Sequence, residues 1–221
     1  MSFMPSGVLG RMSVDTIKNI FCVGRNYVKH VEELGNVLPD EPVIFSKPTH
    51  SLVKAEDLIE LPAARGAIHY ETALVLKIAS DYERGIGVDE IVSEMTIGLD
   101  LTLRDEQTKL KAKAHPWLLS KGFPQAAVLG EFISFPGYEQ CKETSFSLRI
   151  NGHKVQDGDI NKMIFSLDEI ITYIGENIGL AKGDLIFTGT PEGVGPIHHN
   201  DELEMLWGDK QLGKAKIKLE A

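Results

Sequence analysis

His30 and Glu33 stand three residues apart, just after the run Gly24-Arg25-Asn26-Tyr27. In a helix that spacing puts both side chains on one side, where a carboxylate can orient an imidazole and raise its basicity. Such a pair can activate a water or move a carbon-bound proton near neutral pH. The same spacing is also the ordinary one for a surface His–Glu pair. Arg25 either receives an anionic substrate or forms a structural ion pair.

Glu71 and Asp100 sit inside apolar runs. Burying two carboxylates is costly unless something compensates them. A hard divalent cation would do so, with oxygen ligands and waters completing an octahedron. It would also polarise a carbonyl and stabilise an enolate. The alternative is two acids held separately by arginine, lysine or backbone amides. Lys121, between Trp117 and Phe123, reads as a partly enclosed ammonium. It either neutralises a substrate carboxylate or a developing enolate, or pairs with Glu71 or Asp100. Arg104 and Gln107 reach the same region, with Asp105 beside them in support. The Gly- and Pro-rich run Thr188–Pro196 needs special turns and offers hydroxyls and amides to a carboxylate. It is neither a phosphate loop nor a dinucleotide fingerprint. His69 reads as structural or surface-polar, and His198 and His199 as surface residues.

Short strands must carry these groups. Ile20–Val23 and Pro42–Phe45 read as strands, and Ile68–Ile78 as one long strand with Glu71, Ala73 and Val75 on one side. Met95–Leu103 is another apolar run, in which Gly98 permits close backbone approach. Thr144–Ile150, the turn Asn151-Gly152 and the return from His153 predict a hairpin. Ser166-Leu167-Asp168-Glu169 predicts a capping box before a helix. Asp184–Phe187 is a strand. The alternation Gly213, Ala215, Ile217, Leu219 predicts a half-buried terminal strand whose lysines protect a sheet edge. Helical spacing is limited to Tyr27–Leu34, Arg104–Ala114 and the segment after Ser166. Many strands with few helices predict a mixed, predominantly β domain and argue against a doubly wound sheet or a (β/α)8 barrel.

Composition narrows the function. The 221 residues carry 23 Lys plus Arg against 32 Asp plus Glu, for a net charge of -9. With no long basic run, a nucleic-acid footprint is not expected. Only Cys22 and Cys141 are present, which excludes a disulfide framework and a CxxC site. Cys22 reads as a buried structural thiol. No uninterrupted span of about 20 apolar residues predicts a membrane helix. A cytoplasmic, reduced setting is the expectation, with no membrane partner.

The ordered set of these motifs resembles the fumarylacetoacetate hydrolase family, in its short single-domain members. The resemblance runs from about Ile20 to Leu219. It rests on Gly24-Arg25-Asn26-Tyr27 with His30 and Glu33, Pro42–Pro48, His69-Tyr70-Glu71 and Leu99–Asp105. Trp117 with Lys121, Asn151-Gly152, Met163–Ser166 and Thr188–Gly195 complete it. It implies a β-roll or sandwich with short peripheral helices. Residues 1–19 would be an extension packed on a single catalytic domain, 20–221, usually in a homodimer. It implies a hydrolase or lyase acting on a small 2-oxo acid such as an acylpyruvate or oxaloacetate, through a Mg2+- or Mn2+-stabilised enolate. A 2-hydroxyhepta-2,4-diene-1,7-dioate-type isomerase is the alternative. In this reading Glu71 and Asp100 bind metal, and His30, Glu33 and Lys121 are catalytic. Arg25, Arg104, Gln107 and Thr190 hold substrate or support the site. One position departs from the pattern. The family supplies a second glutamate two residues after the first, and here that residue is Ala73. A methyl group cannot ligate a metal, so affinity would be weakened, or the protein would bind a small acid without catalysis.

Overall fold

The computed structural model describes residues 17–56 and 58–220. Most of the expected extension, residues 1–16, therefore lies outside the described residues. The architecture is mixed and dominated by strands, a curled β-roll with short peripheral helices. The largest sheet runs in the order Val43–Lys47, Ile20–Gly24, Leu185–Phe187, Thr72–Ile78, Val92–Asp100, Ala127–Leu129, Leu52–Lys54. Ile133–Ser134 adds to Val92–Asp100. A five-stranded sheet runs His153–Gly158, Phe146–Ile150, Glu202–Trp207, Lys210–Glu220, Leu58–Pro62. A small third sheet joins Gly195–Pro196, Ile68–Tyr70 and Thr102–Leu103.

Thr72–Ile78 lies in the middle of the large sheet and is covered on both faces. Leu74, Leu76 and Ile78 enter the main core with Ile97, Phe146 and Met205. Ala73 and Val75 enter a second cluster with Cys22, Leu185 and Phe187. A strand buried on both faces reads as a continuous apolar run, as this one does. Gly98 is required by packing, because a Cβ there would sit 2.7 Å from Phe187 and Val75. Cys22 is a buried free thiol, as expected, and Cys141 is also buried and free. No helix among the described residues is long and apolar enough to cross a membrane.

Two strand expectations are corrected. The run 68–78 breaks at Glu71, so Ile68–Tyr70 and Thr72–Ile78 belong to different sheets. The Thr72 N–H leaves the ladder and donates to Gln156 Oε1 at 2.8 Å. The apolar run 95–103 likewise breaks after Asp100, where the Leu101 N–H donates to the Ala126 carbonyl. The terminal strand is half-buried as expected, but it is not an edge. It pairs with Glu202–Trp207 on one side and, in parallel, with Leu58–Pro62 on the other. Its lysines form cross-strand ion pairs, Lys218 with Glu60 at 2.6 Å and Lys214 with Glu204 at 3.3 Å.

The helices follow their local signals. Val28–Glu33 stops ahead of Gly35, whose φ of 61° suits glycine. Leu167–Asn177 begins with the expected capping box between Ser166 and Glu169. The predicted hairpin turns at Asn151 and Gly152, both at positive φ.

Asn26 fastens the first strand to the rest. It is fully buried, donates to the carbonyls of Phe165 at 3.1 Å and Thr188 at 2.9 Å, and accepts from the Phe165 N–H at 2.8 Å. Asn26→Ala leaves those backbone groups unpaired and is expected to cost about 3 kcal/mol. Urea unfolding of the variant checks this, and an unchanged midpoint would contradict the assigned bonds.

Candidate active site

The two sheet changes create the site. Where the strands break, the Asp100 N–H donates to the Glu71 carbonyl at 2.8 Å, which sets the two acidic residues side by side. Into the gap comes Lys121, from the short helix Leu118–Lys121. Its Nζ donates to Glu71 Oε2 and to Asp100 Oδ2, both at 2.7 Å. The ammonium also lies 4.9 Å from the centre of the Phe45 ring. Phe45 in turn packs on Trp117, with ring centres 5.6 Å apart.

The outer oxygens are engaged as well. Arg104 Nη2 donates to Glu71 Oε1 at 2.6 Å, and the Thr102 hydroxyl donates to the same oxygen at 3.0 Å. Lys47 Nζ lies 2.7 Å from Asp100 Oδ1. It also donates to the carbonyls of Leu101, Ala126 and Lys121. Lys47 is a site residue that sequence reasoning missed. Ending a strand beside Pro48, it resembles an exposed terminus, yet its side chain is 0% exposed. The one available signal was arithmetic, since two core acids exceed the charge of one core lysine.

Burial opposes charge on all of these groups, and the network reverses it for some. Glu71 would be raised by burial, but Lys121, Arg104 and His30 hold its carboxyl well below the usual range. Burial would lower Lys121, but Asp100 and Glu71 raise it, so it stays charged. A raised lysine is not a free amine nucleophile at neutral pH. Lys47 is lowered because its burial outweighs the help of Asp100.

His30, on the helix Val28–Glu33, lines the same cleft. Its Nδ1 is 3.5 Å from Glu33 Oε2, too long for a strong hydrogen bond. Glu33 instead accepts from the Gly193 N–H at 3.1 and 3.2 Å. Helical spacing thus brings the two together, but Glu33 is shared with the loop after Thr188. Burial lowers the His30 pKa, partly offset by Glu71 and Glu33, and so favours a neutral imidazole.

The mouth is cationic. Arg25, Arg104 and Lys111 line it. Arg25 adopts a left-handed φ of 58° and makes no ion pair among the described residues. Arg104 Nη1 donates to Gln107 Oε1 at 2.7 Å, while its buried Nε has no hydrogen-bond partner among the described residues. Thr190 lines the cleft and accepts from Gln156 Nε2 at 2.9 Å. Gln156, also missed from sequence, thereby ties Thr190 to Thr72. Asp105 is turned away and accepts from the Ala67 N–H at 3.0 Å. His69 is half-buried, and His198 and His199 are exposed. The cleft has about 40 Å³ of free volume, so a diacid enters only if the mouth side chains move. A wider groove of about 930 Å³, near Lys77, Phe132 and Lys214, lies elsewhere. Lys77 and Lys214 there are paired with Glu94 and with Glu202 and Glu204.

The residues present fit a divalent ion poorly. Every carboxylate oxygen of Glu71 and Asp100 already faces a lysine or arginine. Ala73 lines the cleft with a methyl group. Among the described residues no group of three or more His, Cys, Asp or Glu could hold a metal ion.

A β-roll with buried acids, a clamped lysine and a cationic mouth makes a cleft suited to a small anion. The chain belongs to the fumarylacetoacetate hydrolase family: residues 19–219 match the family described as fumarylacetoacetate (FAA) hydrolase C-terminal. It is 35% identical over 201 residues to oxaloacetate tautomerase YcgM of Escherichia coli K12, covering 89% of this chain and 91% of that one. It is 39% identical over 189 residues to the mitochondrial oxaloacetate decarboxylase of Dictyostelium discoideum, covering 83% and 85%. Among solved structures it is similar to a fumarylpyruvate hydrolase from Pseudomonas aeruginosa in complex with Mn2+ and pyruvate. That match has a TM-score of 0.81 at 31% identity and covers 92% of this chain and 91% of that one.

Removing the clamp has a signed pH consequence. Lys121→Met leaves two buried carboxylates short of a partner and is expected to cost about 3–5 kcal/mol near neutral pH. Glu71 in the unaltered chain is depressed, so its stabilisation is present above the unfolded value and lost as pH falls through the folded one. In the variant that contribution is smaller, because Arg104 and His30 alone remain to hold the carboxyl down. The stability gap between the two proteins should therefore narrow as pH drops below about 4. Denaturant unfolding at several pH values reads the gap, and a constant gap would contradict the pairing.

Proposed function

We propose that this chain is an enzyme of small 2-oxo acids that works through an enolate. Its leading reaction is keto–enol tautomerisation of a 2-oxo diacid of the oxaloacetate type. The observation that carries this reading is a buried, neutral-favouring imidazole, His30, sharing a cleft with the ammonium of Lys121. The family and the names of its relatives support the substrate class.

Arg25, Arg104 and Lys111 meet the substrate carboxylates. The 2-oxo group lies toward Lys121, whose fixed charge favours negative charge developing on that oxygen. His30 removes the proton from the neighbouring carbon, and Glu33 favours the imidazolium that results. The proton then returns to oxygen or carbon. Gln107 and Thr190 orient the substrate from opposite elements. Phe45 and Trp117 limit water.

Decarboxylation of oxaloacetate passes through an enolate without an attacking water. Acylpyruvate hydrolysis needs the same enolate, with His30 activating water at the distal carbonyl. Isomerisation of a dienedioate needs only the proton transfers. A binding role without turnover is the reading that Ala73 favours. Residues 20–221 acting as one catalytic unit in a homodimer belongs to the same proposal, and light scattering of the purified chain tests the dimer.

Loss of enol absorbance from oxaloacetate, with pyruvate formation followed in the same sample, tests the reaction. His30→Gln should lower kcat by roughly 10²–10⁴-fold with little change in KM. Full activity in that variant would contradict the role of His30. A folded protein that binds the acid and turns over neither oxaloacetate nor an acylpyruvate would be a binding protein.

A further inference from the structure

The cleft holds more positive charge than its acids require. Among the described residues, the acids paired with Lys121, Lys47 and Arg104 are Glu71 and Asp100. Arg25 and Lys111 add to this at the mouth. Both inner carboxylate oxygens, Glu71 Oε2 and Asp100 Oδ2, point at one nitrogen, Lys121 Nζ, at equal distances of 2.7 Å. A shared cation would occupy that same gap. The neighbouring cleft position that would complete a ligand set is Ala73, buried at 1% exposure. A divalent ion added here would lack a third carboxylate and would be repelled by an ammonium that has no free acid to retreat to.

We propose that Lys121, clamped between Glu71 and Asp100, stands in place of a divalent ion, and that this chain binds and enolises its 2-oxo acid without one. The proposal rests on the reading of the cleft as a 2-oxo acid site. The single charge of Lys121 is less than that of a metal, and Arg104 and Lys47 make up the difference. Three cations against two acids leave the inner cleft with a surplus positive charge before substrate enters. A dianionic substrate therefore meets a complementary site with no added ion. Orientation follows from the same contacts. Lys121 has only one donor beyond its two carboxylate bonds, and that donor is left for a substrate oxygen.

The test uses the full chain stripped by chelator, with oxalate as a planar dianionic mimic of a pyruvate enolate. Calorimetry measures oxalate binding in chelator and again in Mn2+, and the free Mn2+ spin-resonance signal measures metal binding directly. The expected result is oxalate affinity equal within about twofold in both conditions, and no stoichiometric Mn2+ uptake up to about 1 mM. Ala73→Glu should add the missing carboxylate and tighten Mn2+ binding by at least roughly tenfold. Lys121→Gln, which empties the gap without enlarging a buried side chain, should also gain Mn2+. Stoichiometric Mn2+ on the unaltered chain, or oxalate binding that requires Mn2+, would overturn the metal-free proposal alone. Oxalate that binds in neither condition would overturn the 2-oxo acid reading, and this proposal with it.

Discussion

The structure depends on one buried ion cluster, in which a lysine lies between two carboxylates at the junction of two sheets. Moving any one of these charges out of water costs several kcal/mol, and only close, fully hydrogen-bonded partners offset it. Here Lys121, Glu71 and Asp100 satisfy one another, while Arg104, Thr102 and Lys47 take the remaining oxygens. Such a cluster contributes little net stability compared with an apolar replacement. Its contribution is position: it holds a charged nitrogen in a site with little free volume, at the place where the Glu71 and Asp100 strands change sheets.

The surrounding fold follows from that requirement. Glu71 and Asp100 interrupt runs that would otherwise continue as strands, and the ladder is repaired by Gln156, Ala126 and the bond between their own backbones. Gly98 lets Phe187 and Val75 close over the large sheet just behind the acids. Asn26 and Gln156 fasten the loop that carries Thr190. That loop in turn occupies Glu33 through the Gly193 N–H, which sets how much of Glu33 is available to His30. Folding and chemistry therefore share the same bonds.

Much of the site was legible because it violates the rule that apolar runs contain no charge. Glu71, Asp100 and Lys121 stand out in apolar or aromatic company, and His30 stands out by its spacing from Glu33. Lys47 was hidden because local sequence places it at a strand end, and only tertiary contact buries it. The division at Glu71 was illegible for a related reason. Side-chain alternation is the same on either side of a sheet change, so periodicity carries no mark of it. The terminal strand misled in the opposite sense. Its alternating lysines fit an edge, but its second neighbour, Leu58–Pro62, is a parallel partner from far earlier in the chain. The residue missing from the family's pattern, Ala73, was plain in the sequence. That a lysine faces both acids of the cleft needed the structure.

The central claim is that a clamped ammonium and a neutral imidazole together labilise a proton next to a 2-oxo group. The most direct measurement is deuterium entry at the C3 carbon of oxaloacetate in D2O with chelator present, followed by NMR against the buffer rate. The account predicts exchange above the buffer rate with the unaltered chain, abolished in His30→Gln. Exchange that persists in that variant, or that appears only when Mn2+ is restored, would contradict it.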